Sequence, residues 1–362
     1  MPEQLCELGF YVLAGHSATP RDLVAEVADG ERIGLGSAFV SERFNAKDAS
    51  TLSGAVGAIS SSLGVATAAT NHNTRHPLVT ATFAVTMHRL TGGRFALGLG
   101  RGFDALFGIM GLPPITMAQM ADAIALQRRL WRGEVVFDHD GPAGKYPMLC
   151  LDPSFDEDIP VLLTTIGERT CEFAGGVADA VVLHTFMGEE ALRTSVAAVR
   201  QGAERAGRDP ASVRVWSVLA TVGDHIDEAL RLKKLTGRLA TYLQGYGDLL
   251  VRVNGWDPAV LDRFRASELV GSVGGAIDAV ATTDQLRAIS ELLPDEWLGV
   301  AATGTPAQCA TRVLQEFDWG ADAVILHGAT PAELAPVVDA YRTMRPSGRF
   351  GDAAANPGRA AS

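Results

Sequence analysis

Cysteine is scarce in this chain. Its four cysteines, Cys6, Cys150, Cys171 and Cys309, never stand as a C-x-x-C pair. That excludes a cysteine-based metal ribbon and a dense disulfide framework, and it predicts buried apolar thiols in a reducing compartment. Basic residues are outnumbered, 31 Lys and Arg against 42 Asp and Glu, for a net charge of −11. Nucleic acid requires a basic stripe and anionic membranes attract basic segments, so neither partner is expected. No apolar run is long enough to span a bilayer. The opening MPEQLCE has neither a basic segment nor an apolar core, so a signal peptide is not expected and a cytoplasmic location is. Walker A, G-x-S-x-G, H-E-x-x-H and kinase signatures are all missing, and no pair of catalytic carboxylates stands out. Hydrolase and phosphotransfer chemistry therefore have no footing, which leaves a cofactor that brings its own chemistry.

What is present is an alternation of strands and helices. Strands are predicted over 5–14, 37–42, 63–70, 95–100, 160–166, 180–186, 212–222 and 321–327. Helices are predicted over 19–33, 48–62, 77–90, 117–131, 168–175, 189–206, 305–317 and 332–344. Thr19-Pro20 reads as an N-cap with proline at the first helical position, and Gly92-Gly93 closes the helix over 77–90. VLL, AVV and AVIL are apolar without alternation, as strands covered on both faces are. Eight such units predict a closed (β/α)8 TIM barrel over 1–346. Two stretches break the rhythm, a hairpin-like insertion over 133–158 and a largely helical one over 225–295. The small, polar tail over 347–362 predicts disorder.

In such a barrel, chemistry gathers where the strands end. The segment 63–104 is the most informative, because two strands joined by a helix both end on small residues. Gly98-x-Gly-x-Gly102 follows a strand, but its spacing is not that of a dinucleotide fingerprint, so close backbone approach to a flat ligand is the better reading. Glu42 and Arg43 close the second strand: Glu42 could accept from a cofactor ring with Arg43 beside it, or the two could form a bland surface ion pair. Ala68, Ala69, Thr70 and Asn71 end the third strand in a polar turn. Arg101 would add positive charge to the mouth or bind a cofactor. Thr164, Thr165, Ile166, Gly167 and Glu168 join a strand to a helix N-terminus, which suits a phosphate, with His184 and Thr185 on the next strand end. His72 and His76 have metal-ligand spacing but lie in a turn before Pro77, so no metal site is expected.

Several of these segments, SAFVSERF, ATAATNHNTRHP, HRLTGGRFALGLGRG, IPVLLTTIGERTCEFAGGVADAVVL and GADAVILHG, resemble the luciferase-like flavin and deazaflavin oxidoreductases. The TNHNTRHP turn is most similar to the branch that uses coenzyme F420. The resemblance implies a bacterial luciferase-like barrel with insertions. It also implies that Glu42 contacts the cofactor, that a third-strand bulge with a cis non-proline peptide lies near 67–70, and that Thr164–Arg169 and His184-Thr185 hold phosphate. Two departures stand out. Some deazaflavin dehydrogenases carry a histidine where this chain has Arg43, and several carry an acid where it has Phe103.

The expected function is hydride transfer between F420 and a small organic substrate, with Glu42 and Arg43 as catalytic residues. Arginine stays charged, which makes Arg43 a poor proton shuttle and a good clamp for a carbonyl or carboxylate. The alternatives are an FMN-dependent monooxygenase on the same barrel, and a barrel that binds a cofactor or metabolite without turnover. A homodimer is the one macromolecular partnership left open.

Overall fold

A computed structural model describes residues 2–361 of the chain. Eleven strands occur in it: β1 Leu5–Tyr11, β2 Leu35–Val40, β3 Gly64–Thr67, β4 Phe95–Leu99, β5 Val136–Gly141, β6 Gly144–Leu149, β7 Val161–Thr164, β8 Ala180–Val182, β9 Arg214–Gly223, β10 Ala302–Gly304 and β11 Ala323–His327. Eight of them are parallel and close a ring in the order β1-β2-β3-β4-β7-β8-β9-β11. The last seam pairs Leu8 with Val324, and the seam between β8 and β9 pairs Ala180 with Arg214. This is the predicted (β/α)8 barrel, with helices outside and strands buried on both faces.

The barrel interior alternates large and small side chains. Phe39 and Trp216 meet edge to face with ring centroids 4.9 Å apart, and Ala66, Ala96, Ala180 and Ala323 make room for them. A second apolar layer joins strands to the surrounding helices. Local signals start those helices. Thr116 with Gln119, Thr305 with Gln308 and Thr330 with Glu333 form capping boxes, and His76 and Asp48 accept from backbone N–H groups of the turns they begin. His76 is thus a helix cap. The helix foreseen from residue 19 begins as a 3-10 turn, Pro20–Asp22, and becomes regular over Leu23–Arg32.

The insertions are a two-stranded hairpin, β5 and β6, and a run of helices between Glu228 and Leu298 with its own apolar cluster. That cluster reaches the barrel through Phe186 and Ala220, so the second insertion sits over the mouth. A short helix, Asp104–Ile109, and strand β10, paired with the end of β9, escaped the sequence reading. Cys171 and Cys309 are buried as expected; Cys6 and Cys150 are partly exposed. No helix among the described residues is long and apolar enough to cross a membrane.

The tail departs from expectation. Instead of trailing in solvent, residues 353–360 close the N-terminal end of the barrel. Asn356 donates to Gly93 O at 2.7 Å and Phe95 O at 3.0 Å. Trp216 Nε1 donates to Pro357 O at 2.8 Å. The Arg214 guanidinium, 2 % exposed, reaches Ala354 O, Asn356 O and Arg359 O and lies 4.4 Å from the Trp216 ring. Small polar residues fit here because the barrel floor supplies the hydrogen-bond partners. Ser362 lies outside the described residues.

Candidate active site

The mouth is built first by an irregularity between β3 and β4. Ala66 pairs with Ala96, and the next bridge joins Thr70 to Leu99, so four steps on one strand oppose three on the other. The extra residue is a β-bulge, and the Ala68–Ala69 peptide within it is cis. The glycines of β4 follow from this. A Cβ at Gly98 would lie 1.7 Å from Thr67 O, so that glycine makes room for the bulge and not for a ligand. A Cβ at Gly100 would lie 2.6 Å from Thr164 Oγ1 and 3.1 Å from the Ala69 methyl, which brings β3, β4 and β7 together at one point. Gly102 has φ +66°, with Phe107 and Asn71 crowding the position a side chain would take. Ala68, Ala69 and Gly100 thus form a floor nearly free of side chains.

Glu42 supports that floor from beneath. Its carboxylate accepts from Ala49 N and Thr70 Oγ1, both at 2.9 Å, and pairs with Arg75 Nη1 at 2.8 Å. The side chain is 3 % exposed. Arg75 also reaches Asp48. The surface ion pair of Glu42 with Arg43, the bland reading of these two residues, does not form, because the side chains diverge, Glu42 to Arg75 and Arg43 to Gly15 O. Asn71 donates to Gly100 O at 2.7 Å, and Arg101 Nε donates to Ile115 O at 2.9 Å, fixing the loop after β4.

Beyond the floor, Gly167 (φ +88°) turns the chain into the helix Glu168–Val177 without a side-chain cap. The first N–H groups of that helix therefore remain open to an anion. Thr164 is half-buried at the floor. Thr165 is buried with its hydroxyl 3.3 Å from Cys171 Sγ and its N–H donated to Val182 O at 2.9 Å, so it offers the turn no free donor. Ile166 packs against the second insertion, and Glu168 is exposed.

Just past the neighbouring strand β8, His184 Nδ1 lies 2.8 Å from Thr185 O, which makes Nδ1 the donor. Nε2 then accepts from Tyr246 OH at 2.6 Å. Burial pushes the His184 imidazole down to about 4, so it is neutral at physiological pH. The partner hydroxyl arrives because the helix Arg238–Asn254 is broken at Tyr246 (φ −151°, ψ 35°). Tyr246 stacks on Phe103 at 5.1 Å, and Tyr242 packs on His184 at 4.9 Å. Thr185 Oγ1 and His327 Nδ1, both buried at the mouth, belong to the buried polar atoms that lack a partner among the described residues.

Arg43 stands apart from Glu42 and faces the mouth. Its Nη1 donates to Gly15 O at 2.5 Å. Arg238 Nη2 comes to the same glycine, 3.3 Å from where its Cβ would be, and pairs with Asp278 at 2.7 Å. Lys47 Nζ donates to Val12 O and Leu13 O. Burial and then Arg43 push the Lys47 amine down to about 8. Burial, followed by Arg238, His184, Arg43 and Lys47, holds His327 well below its ordinary value.

The structure therefore brings together Ala68, Ala69, Thr70, Asn71, Gly102 and Thr164, and sets His184 and Thr185 at the end of the adjoining strand β8. It turns Glu42 and Arg101 into supports. Sequence reasoning missed Lys47, Arg238, Tyr242 and Tyr246. The last three recur every four residues in R-x3-Y-x3-Y, a helix face that could have been noticed. No group of His, Cys, Asp and Glu among the described residues could hold a metal ion.

Comparison with known proteins agrees with this architecture. The chain is 26% identical over 321 residues to a 5,10-methylenetetrahydromethanopterin reductase of Methanolobus tindarius, covering 86% of this chain and 92% of that one. It is 25% identical over 333 residues to an F420-dependent glucose-6-phosphate dehydrogenase of Mycobacterium leprae, covering 88% and 90%. Its fold overlays the coenzyme F420-dependent tetrahydromethanopterin reductase of Methanopyrus kandleri with a TM-score of 0.76 at 19% identity, across 95% of this chain and 99% of the other. The sequence profile of the luciferase-like monooxygenases matches residues 7–323, and this chain belongs to that family of enzymes.

Proposed function

We propose that this enzyme binds coenzyme F420 in the barrel mouth and exchanges a hydride between the deazaflavin ring and a small organic substrate. The observation that carries the reading is the floor of Ala68, Ala69 and Gly100, a flat surface on a bulge, together with Phe103 of the loop after β4 stacked on Tyr246. The residues fit a planar ring with a phosphate-bearing tail. Small side chains admit the ring, the unpartnered Thr185 hydroxyl is available as a donor, and the open helix N-terminus at Gly167 suits the phosphate. Two relatives named for F420 dependence, one by sequence and one by structure, support the choice of cofactor.

When bound, the deazaflavin supplies the hydride chemistry. The chain's residues supply position and field. Glu42 holds Thr70, and through it the bulge, so its role is positioning. Asn71 fixes Gly100, and Arg101 fixes the loop that leads to Phe103. His184 stays neutral and orients the Tyr246 hydroxyl. Arg43 faces the substrate side.

Titrating the purified protein with F420, FMN and FAD tests the cofactor. Tight F420 binding with much weaker FMN and FAD binding is expected. FMN binding as strong as F420 overturns the reading in favour of a flavin enzyme. Tight F420 binding without oxidation or reduction across a broad substrate panel favours a barrel that binds without turnover.

A further inference from the structure

Buried cations without carboxylate partners are costly, and proteins that keep them usually present them to an anion. The mouth holds two cations, Arg43 and Lys47, that are partly buried and lack such a partner. Among the described residues, neither Arg43 nor Lys47 is ion-paired with a carboxylate; both spend their donors on backbone carbonyls of the loop after β1, Gly15 O for Arg43 and Val12 O and Leu13 O for Lys47. A third cation, Arg238, is 7 % exposed and converges on the same Gly15. Its one carboxylate, Asp278, is shared with His16 Nε2 at 3.1 Å and Thr241 Oγ1 at 2.9 Å. The remaining acid nearby, Glu26, accepts from Leu13 N at 2.6 Å. The unpartnered Nδ1 of His327 lies in the same field, and its ring meets Tyr11 edge to face at 5.3 Å.

The rest of the mouth is aromatic. The Tyr242 ring lies between the cations and the far wall, 5.7 Å from the Arg238 guanidinium carbon and 5.3 Å from the Tyr246 ring. Tyr246 in turn stacks on Phe103.

We propose that the substrate of this enzyme is an organic oxyanion with a planar, unsaturated or aromatic body. Its carboxylate or phosphate is held by Arg43 and Arg238 with Lys47 alongside, and its body lies along Tyr242 and Tyr246. The proposal rests on the hydride-transfer reading for the meaning of "substrate", and the anion site itself is independent of which cofactor binds. Guanidinium groups meet an oxyanion through paired, charge-assisted hydrogen bonds. An anionic head fixed there would orient the body over the floor.

Calorimetric titration of the F420-loaded and cofactor-free protein with benzoate, inorganic phosphate and the neutral isostere benzamide tests this. Benzoate should bind roughly tenfold or more tightly than benzamide, as loss of charge-assisted hydrogen bonds dictates. Phosphate binding weaker than that of benzoate would show that the aromatic wall contributes. Arg43→Gln should lose the benzoate preference, Arg43→Lys should restore part of it, and F420 affinity should stay close to that of the wild type in both. The wild-type comparison stands even if a variant fails to fold. Equal binding of benzoate and benzamide, an unchanged benzoate affinity in Arg43→Gln, or displacement of F420 by benzoate would overturn the proposal; displacement would assign the cations to the cofactor. Benzoate preference in a protein that ignores F420 would sustain the anion site while overturning the cofactor reading.

Discussion

The ion pair beneath the floor gives a sharp test of how the site is held. Arg75→Met removes the cation facing Glu42 and leaves a carboxylate 3 % exposed with only Ala49 N and Thr70 Oγ1 to satisfy it. Removing one partner of a buried pair costs about 3–5 kcal/mol. The Arg75 head retains some contact with water, 18 % of its side chain, which places the expected loss at the lower end, about 3 kcal/mol. Glu42→Gln should cost less, since the amide oxygen still accepts from Ala49 N. The informative variant is the double one. With the charge gone, Arg75→Met has no stranded carboxylate to leave behind, so Glu42→Gln/Arg75→Met should fall short of the summed losses by about 1–3 kcal/mol. Urea unfolding followed by circular dichroism measures all four proteins, and an F420 titration reports whether the Thr70 bulge keeps its shape. Losses that add to within about 0.5 kcal/mol would refute the argument, because the two side chains would then not act as a unit.

Three further outcomes follow from the same geometry. Asn356→Ala should destabilise the protein by about 2–3 kcal/mol, since the carbonyls of Gly93 and Phe95 lose buried donors; a loss no larger than that of the exposed control Asp352→Ala would show the tail to be loosely held. His184 is neutral in the fold, with its folded value near 4 against an ordinary 6.5. Its contribution is therefore complete above that ordinary value and is lost as pH falls towards 4, so urea midpoints of the wild type should drop more steeply between neutral and mildly acidic pH than those of His184→Gln, and parallel profiles would contradict the assignment. Gly167→Ala and Gly167→Asp both carry the strain of a side chain at φ +88°, but only the second places negative charge at the helix N-terminus, so Gly167→Asp should weaken F420 binding well beyond Gly167→Ala, and equal affinities in the two variants would remove that turn from the phosphate site.

Much of the fold could be read locally. The helices Pro77–Leu90 and Met117–Trp131 begin and end where capping residues, periodicity and the Gly-Gly stop put them, because those cues act within a single turn. The unbroken apolar runs of β7, β8 and β11 announced strands covered on both faces, and eight of them left few arrangements besides a closed ring. The third-strand bulge and the strand-end sites followed from family resemblance and barrel topology together.

Only closure of the ring decided who meets whom. Glu42 could not be matched to Arg75, or Arg43 to Arg238, from residues so far apart in the chain. Gly98 looked like space for a ligand and is space for Thr67 O, a distinction that depends on the register between two strands. The tail carried the composition of a disordered segment, yet Arg214 and Trp216 wait at the barrel floor with donors that its carbonyls satisfy. Periodicity and caps are short-range and written in neighbouring residues; partners for buried charges and polar groups are set by burial, which exists only once the chain has folded.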